Sequence, residues 1–94
     1  MDKSIGKFTW DEAKERANIK KHGINFSVAS RVFLDPKRKI YVDSGHSKQE
    51  ERFFCVGKVA NRVMTVRFTY RQEIIRIIGA GYWRKGKGHY EKEA

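Results

Sequence analysis

The stretch Arg52-Phe-Phe-Cys-Val-Gly-Lys-Val-Ala-Asn-Arg-Val-Met-Thr-Val-Arg-Phe-Thr-Tyr-Arg-Gln-Glu-Ile-Ile-Arg-Ile-Ile-Gly-Ala80 decides the fold, and it reads as three antiparallel strands. Phe53, Phe54, Cys55, Val56 and Val59 form a first apolar run, and the polar turn Ala60-Asn61-Arg62 suits a tight hairpin. From Val63 to Tyr70 the chain alternates, with Met64, Val66, Phe68 and Tyr70 on one side and Val63, Thr65, Arg67 and Thr69 on the other. That period of two predicts one buried and one wet face. Arg71, Gln72 and Glu73 turn the chain into Ile74 to Ile78, a β-branched run broken only by Arg76, as suits a central strand covered on both sides. Arg67, Arg71 and Arg76 therefore lie on or beside one small sheet, where their guanidinium groups can converge on a phosphate.

Working outward, Thr9 and Glu12 have the spacing of a capping box, Phe8 and Ala13 of a hydrophobic staple, and Gly23 of a helix C-terminal stop. This predicts a first helix with Trp10, Ala13 and Ala17 as its apolar stripe and Lys14, Arg16, Lys20 and Lys21 on its surface. Phe26, Ala29, Ser30 and Phe33 recur at helical spacing and predict a second short helix, stopped at Asp35-Pro36. Two helices meeting at Gly23 also suit a helix-turn-helix that reads DNA directly, but Phe26, Val32 and Phe33 leave the second too apolar to lie in a groove. Ile40, Tyr41 and Val42 predict an edge strand, and Asp43 to Gln49 a polar loop. Gly81, Gly86 and Gly88 argue against a helix in the basic stretch after Ala80, since an interior glycine costs about 1 kcal/mol relative to alanine. The expected fold is thus α+β, two N-terminal helices packed on a four-stranded antiparallel sheet, with a short basic C-terminal tail. Residues 1-94 are expected to form one domain, with its core over about 8-80 and its tail at 81-94.

The 94 residues carry 21 Lys and Arg against 11 Asp and Glu, a formal net charge of +10. A domain this small buries only about 60 to 65% of its unfolded surface, so most of these charges face solvent. The excess points to a polyanion, nucleic acid above all, although an acidic protein or a merely solubilising surface satisfies the same electrostatics. The lone Cys55 permits no internal disulfide, and no apolar run approaches the ~20 residues of a membrane span. A soluble, cytoplasmic protein without membrane contact is expected.

His22, His46 and His89 stand at no metal-ligand spacing, so neither a metal nor a cofactor is expected, and no phosphate loop or serine-nucleophile elbow is present. What remains is arginine beside histidine. Cleaving RNA without metal needs a base for the 2′-hydroxyl proton, cations for the charge building on phosphate, and an acid for the departing 5′-oxygen. Arginine binds phosphate through a planar fork, and histidine titrates near neutrality. His22, His46, Arg71 and Arg76 are the catalytic candidates, with Glu51 as a further acid-base group. Lys21, Arg52, Arg67, Tyr82, Arg84 and Lys85 are the candidates for holding RNA, Tyr82 and Trp83 by stacking on an unpaired base. Structural roles stand beside these: His22 as a helix C-terminal cap, Arg67 and Arg76 as cross-strand partners of Glu51 or Glu73, and the aromatic pair as cover for a sheet edge.

Taken together, Phe8-Thr9-Trp10-Asp11, Lys14, Asn18, Lys21-His22-Gly23, Phe26, Ala29, Val32-Phe33, Asp35-Pro36, His46, Glu50-Glu51-Arg52, Gly57, Val66, Phe68-Thr69, Arg71 and Arg76-Ile77-Ile78 resemble the BrnT toxin family, over about Phe8 to Ala80. The resemblance implies a RelE-like fold and a metal-independent ribonuclease toxin that halts translation and growth. It further implies a BrnA-like ribbon-helix-helix antitoxin as partner, RNA as substrate, and operator DNA bound only through the antitoxin complex. Carried over by position, it marks Lys21, His22, His46, Arg52, Arg71 and Arg76. The chain departs from the family at Ile78-Gly79-Ala80-Gly81, where relatives usually read Ile-Ser-Ala-Arg followed by a charged helix. Two readings follow: an active enzyme in which Arg84 or Lys85 takes the missing arginine's place, or a weak or inactive homologue that serves as an antitoxin-binding or nucleic-acid-binding module.

Overall fold

The computed structural model describes residues 1-46 and 48-92. Among them the chain runs β1 (Asp2–Ile5), β2 (Phe8–Asp11), α1 (Glu12–His22), α2 (Phe26–Ala29), a 3-10 segment (Ser30–Leu34), β3 (Lys39–Val42), β4 (Arg52–Val59), β5 (Arg62–Arg71), β6 (Ile74–Gly81) and α3 (Arg84–Glu91). The strands form one six-stranded sheet in the order β1-β2-β6-β5-β4-β3. All pairs are antiparallel except β2 with β6, which is parallel.

The three strands expected between Arg52 and Ala80 are present and adjacent, and β3 is an edge strand. Their hairpins are tight because Ala60 and Asn61 (φ 51° and 66°), and Gln72 and Glu73 (φ 53° and 67°), all adopt left-handed backbone. Two consecutive positive φ angles match the twist of the flanking strands.

The expected frame of two N-terminal helices on a four-stranded antiparallel sheet is not what the chain forms. The sheet has six strands and is mixed, and the first helix comes only after two strands. Phe8-Thr9-Trp10-Asp11 is a strand, placing Phe8 and Trp10 on the core side against Ile75 and Ile77. Asp11 rather than Thr9 caps α1, its carboxylate accepting the Lys14 amide at 3.0 Å. The Thr9 and Glu12 spacing resembles a capping box, but parallel pairing with β6 holds Thr9 extended. A third helix, α3, replaces the expected glycine-rich tail. Its glycine at 86 lets the helix settle on the sheet, since a Cβ there would overlap the Thr65 hydroxyl. Tertiary packing here outweighs the weak helix propensity of glycine.

The core fills one sheet face. Cys55, Met64, Val66, Phe68, Ile77 and Trp10 meet Phe26, Ala29 and Val32 from α2 and the 3-10 segment. Phe33 packs edge-on to Phe68 at 5.0 Å, and Trp10 edge-on to Phe26 at 6.1 Å. Burial of each such ring contributes about 2 to 3 kcal/mol. Gly57 makes the approach possible, since a Cβ there would stand 2.9 Å from the Val32 carbonyl oxygen. The buried Cys55 thiol is pushed up to about 12, first of all by desolvation. No described helix is long and apolar enough to cross a membrane.

Candidate functional site

Helix α1 is fastened to the sheet by polar groups rather than by an apolar stripe, for Ala13 and Ala17 are exposed and Asn18 is its buried residue. The β2 strand pairs with β6 only as far as Ile77, and α1 then runs beside the rest of β6. There the Asn18 amide does the work of a neighbouring strand: its oxygen accepts the Ala80 amide at 3.1 Å and its nitrogen donates to the Ile24 carbonyl at 3.0 Å. Glu15 accepts from the Trp10 indole at 3.1 Å and from the Phe26 amide at 2.9 Å. Asn18 is buried and Glu15 half-buried, and their hydrogen bonds set the rotation of the helix about its axis. Lys14, Lys21 and His22 are thereby aimed over the sheet face opposite the core.

On that face the ladder register aligns Arg52, Thr69 and Arg76 in one row and Phe54, Arg67 and Gly79 in the next. A bulge between Arg67 and Phe68 brings Ile78 out of the ladder toward α1. The result is a cavity of about 340 Å³ lined by Lys14, Asn18, Lys21 and His22 from α1, Arg52 and Arg67 from the sheet, Ile78, Gly79 and Trp83. No described carboxylate lines it. The half-buried His22 ring meets the Trp83 indole edge-on, centroids 5.3 Å apart. Arg67 has no hydrogen bond or ion pair among the described residues, and its guanidinium lies alongside Gly79, facing Asn18.

The predicted residues do not all meet. Lys21, His22, Arg52 and Arg67 share this cavity. Arg71 stands one pocket away: its guanidinium is 3.4 Å from Glu50, which also lies 3.9 Å from Arg52. These three, with Gly45, Lys48 and Gln49, line an open hollow of about 650 Å³, so Arg52 belongs to both. His46 ends the short turn Ser44–His46 before that hollow, and its side chain lies outside the described part of the structure. Arg76 is held by Asp2 through two hydrogen bonds, at 2.8 and 3.0 Å. That bond and the Asp2 charge push the Arg76 guanidinium up from its ordinary value. Tyr82 and Arg84 lie across Trp83 from His22, and Lys85 lines a separate cavity with Arg67 and Trp83.

Lys14 was absent from the predicted site residues, and Trp83 was expected only as a base-stacking ring beside Tyr82, not as a wall of the His22 cavity. Lys14, Asn18 and Lys21 recur at helical spacing, a signal present in the sequence. The place of Trp83 depends on Gly81, where a Cβ would come within 2.8 Å of the indole carbons. No side chain at position 81 is compatible with the indole where it stands.

A sequence-family model described as the ribonuclease toxin, BrnT, of type II toxin-antitoxin systems matches residues 10-86. The chain belongs to this family. No curated protein matches the sequence. Membership implies a ribonuclease toxin of a type II toxin-antitoxin system with an antitoxin partner. Every residue lining the His22 cavity lies inside the matched span, whereas Asp2, which holds Arg76, lies outside it. No cluster of three or more His, Cys, Asp or Glu side chains suited to a metal ion occurs among the described residues.

Proposed function

We propose that this BrnT-family toxin cleaves RNA in the His22 cavity without a metal ion, and so inhibits translation and growth. His22 takes the proton of the 2′-hydroxyl as that oxygen attacks phosphorus. The bond from phosphorus to the 5′-oxygen breaks, leaving a 2′,3′-cyclic phosphate and a 5′-hydroxyl, and Lys21 gives the departing oxygen its proton. Arg67, Arg52 and Lys14 carry the negative charge that builds on phosphate, as fixed cations do without reorganising. The observation that carries this reading is the convergence of Lys14, Lys21, His22, Arg52 and Arg67 on one cavity with no carboxylate in its described lining. A ribbon-helix-helix antitoxin of BrnA type neutralises the toxin by covering this cationic face, and the pair binds operator DNA through the antitoxin.

The test is purified protein with cellular RNA, with and without EDTA. Cleavage that persists in chelator and drops by about 100-fold or more in His22→Ala and Arg67→Ala, each folded as the parent, is expected from the loss of a general base or of a charge-stabilising donor. Parental rates in both variants would remove the cavity from the chemistry.

A second reading, a weak or inactive homologue that binds antitoxin or nucleic acid, is favoured by Gly81, over which Trp83 closes. It predicts tight antitoxin binding with no cleavage in either buffer.

A further inference from the structure

Besides the Lys85 cavity, Trp83 is a wall shared by two others. Across the indole from His22 lies a second cleft, of about 480 Å³, whose charged lining is Lys58, Arg62, Arg84, Lys87 and a single carboxylate, Glu91. We propose that this cleft is a second nucleotide subsite, which holds the single-stranded continuation of the RNA whose phosphate lies in the His22 cavity. The inference rests on the cleavage reading given above.

Three observations lead to single-stranded RNA. The Arg62 guanidinium lies over the Tyr82 ring, 3.5 Å from its centroid, so a cation and an aromatic surface are already stacked within the cleft. Tyr82 and Trp83 are each 38% exposed, which leaves ring surface accessible for stacking a base whose face is free. A duplex has no free base faces to offer, so the aromatic part of the cleft selects for an unpaired strand. The volume is that of an ordinary ligand site, about 300 to 1,000 Å³.

The cleft is also held in shape from both sides. Lys58 and Arg62 flank the hairpin turn at Ala60 and Asn61, and Arg84 and Lys87 sit on α3. That helix is pinned at its far end by the Tyr90 hydroxyl, which donates to Asp35 at 2.6 Å, and by the Lys39 ammonium, which donates to the His89 carbonyl at 3.0 Å. The backbone beneath the cleft is thus already ordered, and the ordering cost of binding falls on the exposed Lys58, Arg62, Arg84 and Lys87 side chains.

The experiment measures fluorescence anisotropy of a labelled 2′-O-methyl oligonucleotide, which lacks the attacking hydroxyl, over a salt series with the parent, Arg62→Ala, Lys87→Ala and Arg67→Ala, beside the same sequence as a duplex. Arg62→Ala and Lys87→Ala are each expected to weaken single-strand binding several-fold and to flatten the slope of log affinity against log salt by about 0.7 per charge removed. The duplex is expected to bind about tenfold more weakly to the parent and to ignore both changes. If Arg62→Ala and Lys87→Ala bind as the parent while Arg67→Ala does not, the cleft is overturned and the His22 cavity stands. Equal losses for strand and duplex would reduce the cleft to a non-selective charged surface and overturn it too. If the parent binds no single strand, or if His22→Ala and Arg67→Ala still cleave RNA at the parental rate, the cleavage reading falls and the cleft falls with it.

Discussion

The Arg76 guanidinium grips the Asp2 carboxylate through both of its terminal nitrogens, tying the central strand of the sheet to the second residue of the chain. Asp2 sits in β1, every residue of which is exposed, so this fork adds a side-chain tie to β6 to the ladder that β1 makes with β2. Arg76 is accordingly proposed as a fastening rather than a catalytic group. Arg76→Ala is expected to speed amide exchange in β1 while leaving RNA cleavage within about twofold of the parent, as for a residue outside the lining of the His22 cavity. The pH dependence has a definite sign. The Arg76 hydrogen bond, aided by its charge, holds the Asp2 carboxyl below its ordinary value of 3.8. The anchor is therefore complete above that value and fails as pH falls through the lower folded one, with faster β1 exchange in acid as the readout.

The central hairpins were legible because their residues alternate and their turns are short. The outer ones were not. Asp2 to Ile5 shows no burial pattern to read, and Phe8-Thr9-Trp10-Asp11 is four residues long and resembles a helix start. Its strand state comes from parallel pairing with β6, a partner more than sixty residues away in sequence. The seat of α1 rests on Asn18 and Glu15, polar residues that no hydrophobic period marks. Within the site, Lys21, His22, Arg52 and Arg67 were recognisable by type. That Arg71 and Arg76 would be drawn to Glu50 and Asp2 depended on a three-dimensional neighbourhood in which carboxylates far along the chain come within reach.

Helix α3 depends on one missing side chain. A Cβ at position 86 would overlap Thr65 Oγ1, itself buried and without a hydrogen-bond partner among the described residues. Gly86→Ala is expected to lower stability by about 1 to 3 kcal/mol through overpacking, read as a fall in Tm of roughly 4 to 8 °C per kcal/mol. Adding Thr65→Ala to Gly86→Ala should restore part of the loss, and a double-mutant cycle with coupling of at least about 0.5 kcal/mol is the expected signature. Strict additivity would show that the helix does not rest on Thr65.

The other end of α3 is governed by Tyr90 and Asp35. Hydrogen bonding to the Asp35 carboxylate pushes the Tyr90 phenol up to about 12, with burial adding to it. Burial pushes Asp35 up, but the Lys58 amide, the Tyr90 hydroxyl, and the Lys37 amide and charge outweigh it and leave the carboxyl below 3.8. A raised phenol contributes stability that is complete below its ordinary value of 10.0 and lost as pH rises toward 12. A lowered carboxyl contributes stability that is complete above 3.8 and lost in stronger acid. Tyr90→Phe is expected to cost about 1 kcal/mol at neutral pH and to flatten this alkaline loss, as followed by thermal melts from pH 7 to 11.

Position 81 couples fold to site. A Cβ there would lie 2.8 to 2.9 Å from carbons of the Trp83 ring, and the backbone beneath is the end of β6, paired with Thr65 of β5. The indole must therefore move, breaking its edge contact with His22 and opening the wall between the two cavities. Trp10 is only 2% exposed against 38% for Trp83, so acrylamide quenching reports mainly on Trp83. Gly81→Ala is expected to increase quenching with the core intact, as judged by unchanged near-ultraviolet dichroism from the rings around Trp10. Affinity for single-stranded RNA should fall about tenfold, in the range measured when a stacking ring is lost. Unchanged quenching and affinity would show that the indole tolerates a neighbour at position 81, and Gly81 would then have no part in placing Trp83.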